Sequence, residues 1–147
     1  MKWLLAAVLL AQAADPRVTV ADVEKVTGLK GVQLVAPGSV PGAGAGLNFA
    51  TADRKMLVMV NFGPAGLYAQ AKAQKEYHGL PLPLFHAAVP GVGDEAFDSP
   101  PGPFQYVLYM RKGNAAASFT AYVTSGNRAT LSMAQLQQIA QIAASRM

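Results

Sequence analysis

The stretch from Phe104 to Val123 admits few structures. Phe104, Tyr106, Leu108 and Met110 fall on one face by the two-residue period of a strand, and Gln105, Val107, Tyr109 and Arg111 fall on the other. Gly113-Asn114 suits a two-residue turn with glycine first. That turn sets Leu108 opposite Phe119 and Tyr106 opposite Ala121. It keeps Ala117, Phe119, Ala121 and Val123 on the face of the first set. Pattern and turn chemistry agree on one antiparallel hairpin, and its apolar face needs a second layer to cover it.

Helices can supply that layer. Thr19 with Asp22 makes a Thr-x-x-acid capping box, Val18 and Val23 fit a hydrophobic staple, and Gly28 can end the helix in the left-handed conformation. Ser132 with Gln135 makes a second capping box, with Leu131 and Leu136 as the staple. Met133, Leu136, Ile139, Ala143 and Met147 then form the buried stripe of the last helix. A middle helix is expected to open at Gly63-Pro64, run to about His78 and end at Gly79. Strands are expected over Val32–Ala36, Leu47–Ala50, Lys55–Phe62 and Glu95–Phe97. The third of these is apolar on both faces, as a central strand is. The Pro37–Gly46 stretch reads as a surface loop; it lacks the Gly-Lys-Ser/Thr ending of a phosphate loop. Leu80–Pro90, with three prolines, reads as extended or irregular. The order is α-β-β-β-α-β-β-β-α, an α+β fold with helices packed on one face of an antiparallel sheet.

The N-terminus reads as an address. Met1-Lys2 precedes a short apolar run from Trp3 to Leu10 and the small-residue stretch Ala11-Gln12-Ala13-Ala14. This is the pattern of a secretory signal peptide, residues 1–13, cut after Ala13. Residues 14–147 then form a single domain, exported to the periplasm or secreted. Losing Lys2 leaves 11 basic against 8 acidic side chains, so +4 becomes +3. The apolar run is shorter than the ~20 residues of a membrane span, so no integral segment is expected in the mature chain. The absence of cysteine excludes a disulfide framework, a thiol nucleophile and cysteine-based metal sites.

The segment Val89-Pro90-Gly91-Val92-Gly93-Asp94-Glu95-Ala96-Phe97, followed by Tyr109-Met110-Arg111-Lys112-Gly113, resembles a motif of small exported bacterial proteins. There a "GVGDeA-aromatic" turn precedes a strand that ends in a basic residue and glycine. The pattern is similar to the DUF3558-type lipoproteins and related sensor-like extracellular domains, whose opening helix resembles Ala21-Asp22-Val23-Glu24-Lys25-Val26-Thr27-Gly28. The chain departs from them in having no cysteine for lipidation. The resemblance implies an exported α+β domain and brings no catalytic residue.

Catalytic groups are sparse. His78, His86 and Asp94 are the set a small hydrolase or metal-dependent enzyme would use, provided that they converge. Their spacing fits no zinc motif, and no serine sits in a Gly-x-Ser-x-Gly elbow. Asp94, Glu95 and Asp98 are the densest acidic group, and a turn aspartate bonding nearby amides explains Asp94. No cofactor and no metal are expected. The scattered basic residues show no aromatic interleaving, so no nucleic-acid partner is expected. A lipid or small-ligand carrier would need a cavity of about 300 Å³ between helices and sheet.

The residues therefore favour binding over catalysis. The outer hairpin face carries Gln105, Tyr109, Arg111, Ser118, Thr120 and Tyr122, with Asp94 in the adjacent turn. Tyrosine and arginine are enriched at recognition surfaces. The expected role is a non-enzymatic accessory domain that recognises a protein, peptide or envelope component on that face. Alanine at Tyr109, Arg111 and Tyr122 is then expected to leave folding intact.

Overall fold

The computed structural model describes residues 15–76, 79–99, 105–124 and 128–147. The leader expected over 1–13, His78 and Phe104 lie outside the described residues. The elements are α1 (Val20–Thr27), β1 (Gln33–Val35), β2 (Leu47–Ala50), β3 (Met56–Pro64), α2 (Gly66–Ala73), β4 (Ala87–Ala88), β5 (Glu95–Asp98), β6 (Gln105–Lys112), β7 (Ala115–Thr124), β8 (Arg128–Ala129) and α3 (Met133–Ala144).

The strands form one antiparallel sheet in the order β1-β2-β3-β7-β6-β5-β4, with β8 paired to β7. The class is α+β, and the sheet exceeds the expected six strands by the two-residue β4 and β8. The chain leaves the sheet centre at β3, crosses through α2 to the far edge and returns strand by strand to set β7 beside β3. The β6–β7 register has Leu108 opposite Phe119 and Tyr106 opposite Ala121, as the turn chemistry dictates.

Both predicted capping boxes are formed. Thr19 accepts from the Asp22 amide and Ser132 from the Gln135 amide. Gly28 ends α1 in the left-handed region at φ 74°. The stripe of α3 is buried at Leu136, Ile139 and Ala143, joined by Ala140 and Ala144. Met133 and Met147 pack at its margins.

α2 departs from expectation at both ends. Gly63 and Pro64 stay in β3, opposite Ala116 and Ala115. β2 pairs no further along β3 than Val60, so one edge of β3 is open there and tolerates a proline without an N–H. The helix then starts at Gly66 behind Ala65, which offers no side-chain cap, and stops at Ala73 because Gln74 is extended.

The helices are also not confined to one face. α1 and α3 cover the face of Leu108, Met110, Phe119 and Val60, through Val23, Leu136, Ile139 and Ala140. α2 lies on the opposite face, where Tyr68 packs with Phe97, Ala116 and Tyr109. The reason lies in β6 and β7. Val107, Ala116 and Thr120 alternate with the first face and are buried too, so the sheet centre needs cover on both sides. The far end of that second face is covered by the Pro37–Gly46 loop, whose Val40 and Ala43 pack on Ala50, Met56, Met59 and Tyr122.

Arg146, just past α3, ties that helix to α1 and to the segment before it. Its Nη1 donates to the Pro16 carbonyl at 3.2 Å and to Asp22 Oδ2 at 2.5 Å, and its Nη2 donates to Asp22 Oδ1 at 3.0 Å. That hydrogen bond, helped by those from Thr19 and opposed by burial, holds the Asp22 carboxyl below its ordinary pKa. A lowered folded pKa contributes stability that is complete above the unfolded value and lost as pH falls through the folded one. Asp22→Ala is expected to cost about 2–3 kcal/mol at pH 7, through the lost capping box and charged hydrogen bonds. Thermal unfolding from pH 7 down to about pH 2 checks this. The gap between wild type and variant closes at the acid end, and a constant gap would count against the ion pair.

Candidate functional site

The Gly91–Asp98 turn is a fastening. Asp94 donates its amide to the Arg111 carbonyl at 2.9 Å and accepts the Gly113 amide on Oδ2 at 2.7 Å. Arg111 Nη1 lies 3.4 Å from the same carboxylate oxygen, and Arg111 Nε donates to Glu95 Oε2 at 3.1 Å. Lys72 of α2 reaches Glu95 Oε1 at 3.8 Å, and Gln141 of α3 donates to the Gly91 carbonyl at 3.2 Å. The two separated pieces of the sequence motif, Gly91–Phe97 and Arg111–Gly113, thus meet and lock β5 to the β6–β7 turn.

The side chains of the outer hairpin face have differing surroundings. Tyr109 stacks on Phe97 with ring centroids 4.8 Å apart, and Phe97 is also flanked by Tyr68 at 5.3 Å and Phe85 at 5.4 Å. Tyr122 donates its hydroxyl to the Gly42 carbonyl at 3.0 Å. Thr120 is buried, Gln105 is exposed and half-buried Ser118 stands between Tyr109 and Asn61. Asp94 and Arg111 belong to the fastening. Alanine at Tyr109, Arg111 and Tyr122 would therefore remove an aromatic stack, a salt-bridged clasp and the anchor of a loop, and would not leave folding intact. Burial raises the pKa of Tyr68, Tyr109 and Tyr122, so these phenols stay neutral at physiological pH.

Tyr109 and Ser118 do meet at a pocket. It opens between α2 and the sheet, holds about 210 Å³, and is walled by Leu67, Tyr68 and Tyr109 over a floor of Gly63, Ala116 and Ser118. Asn61 closes one end. Its carboxamide lies against Gly46 of the neighbouring loop, where an ideal Cβ would sit 2.2 Å from Oδ1, so only glycine fits there. Asn61 and Ser118 are cross-strand partners. Among the described residues, no hydrogen bond from either side chain competes for them.

This volume lies on the α2 face; wider and more open hollows of about 430 Å³ and 440 Å³ lie between α1 and α3 and beside Phe85 and Glu95. Beneath α1 and α3 the space is filled by Val23, Leu108, Phe119, Leu136 and Ile139, all fully buried. At 210 Å³ the pocket is also smaller than the roughly 300 Å³ of small-molecule sites.

His86 pairs with Asp98 rather than Asp94. Its Nδ1 is 3.1 Å from Asp98 Oδ1, which also accepts the Ala87 amide at 2.9 Å. Asp94 belongs to the turn before β5, and Asp98 ends that strand, about 13 Å away along an extended chain. Among the described residues, no group of three His, Asp or Glu could hold a metal ion, and no helix is long and apolar enough to cross a membrane.

Sequence reasoning missed Asn61, Gly63, Leu67 and Tyr68. One signal was available: Tyr68 is the only aromatic residue of an otherwise alanine-rich helix, so its ring had to be buried somewhere. A second was the alternation Leu80-Pro81-Leu82-Pro83-Leu84-Phe85, in which Leu84 packs with Tyr68 and Phe97 and Phe85 lays one side of its ring on Phe97. No family model, curated protein or solved structure matches the chain.

Proposed function

We propose that the chain is an exported, non-catalytic binding domain that recognises a protein or peptide. Its recognition face is α2, the Leu80–Phe85 strap that follows it, and the pocket of Tyr109 and Ser118. One observation carries this reading. Of the five large apolar side chains exposed among the described residues, four are Leu67, Leu80, Leu82 and Phe85, at 37–57% exposure. Such side chains scattered singly are ordinary, but concentrated on one helix and its continuation they mark an interaction surface. The prolines stiffen the strap before any partner arrives, which lowers the ordering cost of binding.

The test is photo-crosslinking. A benzoylphenylalanine placed at Leu82 is expected to capture a partner in the native envelope, and the same probe at exposed Leu29 is not. Equal capture at the two positions, or none at Leu82, would remove the reading. With the probe kept at Leu82, Leu80→Ser is expected to abolish the adduct while shifting stability by no more than about 0.5 kcal/mol. The export component has its own test: the intact mass of the chain recovered outside the cytoplasm should correspond to a start at Ala14.

A further inference from the structure

The pocket carries an inference about what it accepts, resting on the reading of this face as a recognition surface. Among the described residues its lining, which includes Asn61, Gly63, Leu67, Tyr68, Tyr109 and Ser118, holds no carboxylate, ammonium or guanidinium group. A charged ligand group would lose its water there and gain no counter-charge. A purely apolar group would cover Asn61 and Ser118 and leave their polar atoms without partners. The favourable occupant satisfies both halves of the site. It places a compact apolar group against Leu67, Tyr68 and Tyr109, and it brings an amide to the sheet floor. The Asn61 carboxamide both donates and accepts, so it can pair with an amide carbonyl and an amide N–H, and the Ser118 hydroxyl adds a further donor.

We infer that this pocket binds an uncharged segment of extended peptide, seating one aliphatic side chain under Leu67 and Tyr68 and pairing its backbone amide with Asn61 and Ser118. The volume of about 210 Å³ suits one such side chain rather than a lipid tail or a drug-sized molecule. Specificity then rests on Asn61, the residue that reads the amide, and on Gly63, which keeps the floor open. An ideal Cβ at Gly63 would sit 2.4 Å from Leu67 Cδ1. That atom ends a flexible side chain, so Gly63→Ala can be accommodated by moving Leu67, which reshapes the pocket without breaking the sheet.

The experiment is a titration of the isotope-labelled full chain, followed by amide NMR, with three capped tripeptides: acetyl-Ala-Leu-Ala-amide and its versions with Asp or Lys at the centre. The leucine peptide is expected to give saturable shifts centred on Asn61, Gly63, Leu67 and Ser118. Both charged peptides should bind at least about tenfold more weakly. Asn61→Leu and Gly63→Ala should each weaken the leucine peptide by about tenfold, with unfolding temperatures near wild type. If one of these variants fails to fold, the other carries the test. Saturable shifts confined to Leu80 and Leu82 would overturn this inference and leave the recognition face standing. Equal binding of the charged peptides, or no saturable shift up to about 5 mM, would overturn it as well. Failure of the crosslink at Leu82 is a separate result and bears on the face itself.

Discussion

Gly93→Ala is expected to cost about 3 kcal/mol, far more than an exposed turn glycine usually does. Two terms add. Gly93 has φ +56°, where a side chain costs about 1–2 kcal/mol. Its Cβ would also lie 2.6 Å from the Arg111 carbonyl oxygen and 2.8 Å from Met110 Cγ. The carbonyl is backbone already engaged by the Asp94 amide, so it cannot swing aside, and the turn must move instead. Moving it releases the Asp94 bond to Gly113 and the Arg111 clasp together. Gly91 supplies the control. It has φ +80° with nothing within 4 Å of an added Cβ, so Gly91→Ala should cost only about 1 kcal/mol. Urea unfolding of the two variants separates the terms, and equal losses would show that the fastening contributes nothing.

The largest loss is expected from Phe119→Ala, about 3–5 kcal/mol. Phe119 is fully buried at the middle of β7, between Leu108 of β6 and Val60 of β3, with α3 above it. Its removal leaves a cavity that three elements border and that none can close alone. Against a typical total of 5–15 kcal/mol, this change places the fold close to unfolding at ordinary temperature. Chemical denaturation with an unchanged m-value checks it. The contrast with Leu82 is informative. An apolar side chain of similar character, left half in solvent, should be replaceable at almost no cost in stability.

The hairpin, both capped helices and the order of the main elements could be read from the residues because local chemistry decides them. Ser132 and Gln135 fix the start of α3 wherever the helix packs, and Gly113-Asn114 fixes a register. The placement of α2 could not be read in the same way. An alanine-rich helix has little amphipathic signal, and its side of the sheet depends on which strand face remains uncovered after α1 and α3 have docked. The candidate site suffered from the same gap. Tyr109 was visible as an outward aromatic, but its stack on Phe97 and the pocket beside it depend on α2 crossing that face. Asp94 and Arg111 looked like recognition chemistry in one dimension, and in three they satisfy each other.

The clasp between Arg146, Pro16 and Asp22 bears on how the chain is made. The two middle strands of the sheet, β3 and β7, stand side by side although α2 and three strands separate them in sequence. Arg146, which follows α3, then locks the first helix in place. A chain delivered N-terminus first, from a ribosome or through a pore, therefore cannot close its core early. Residues 15–64 emerge with their partners still tens of residues behind, and loop closure of that length is slow. α3 and Arg146 follow every strand in the chain and complete the core, so a chain delivered only as far as β7 stays pliable.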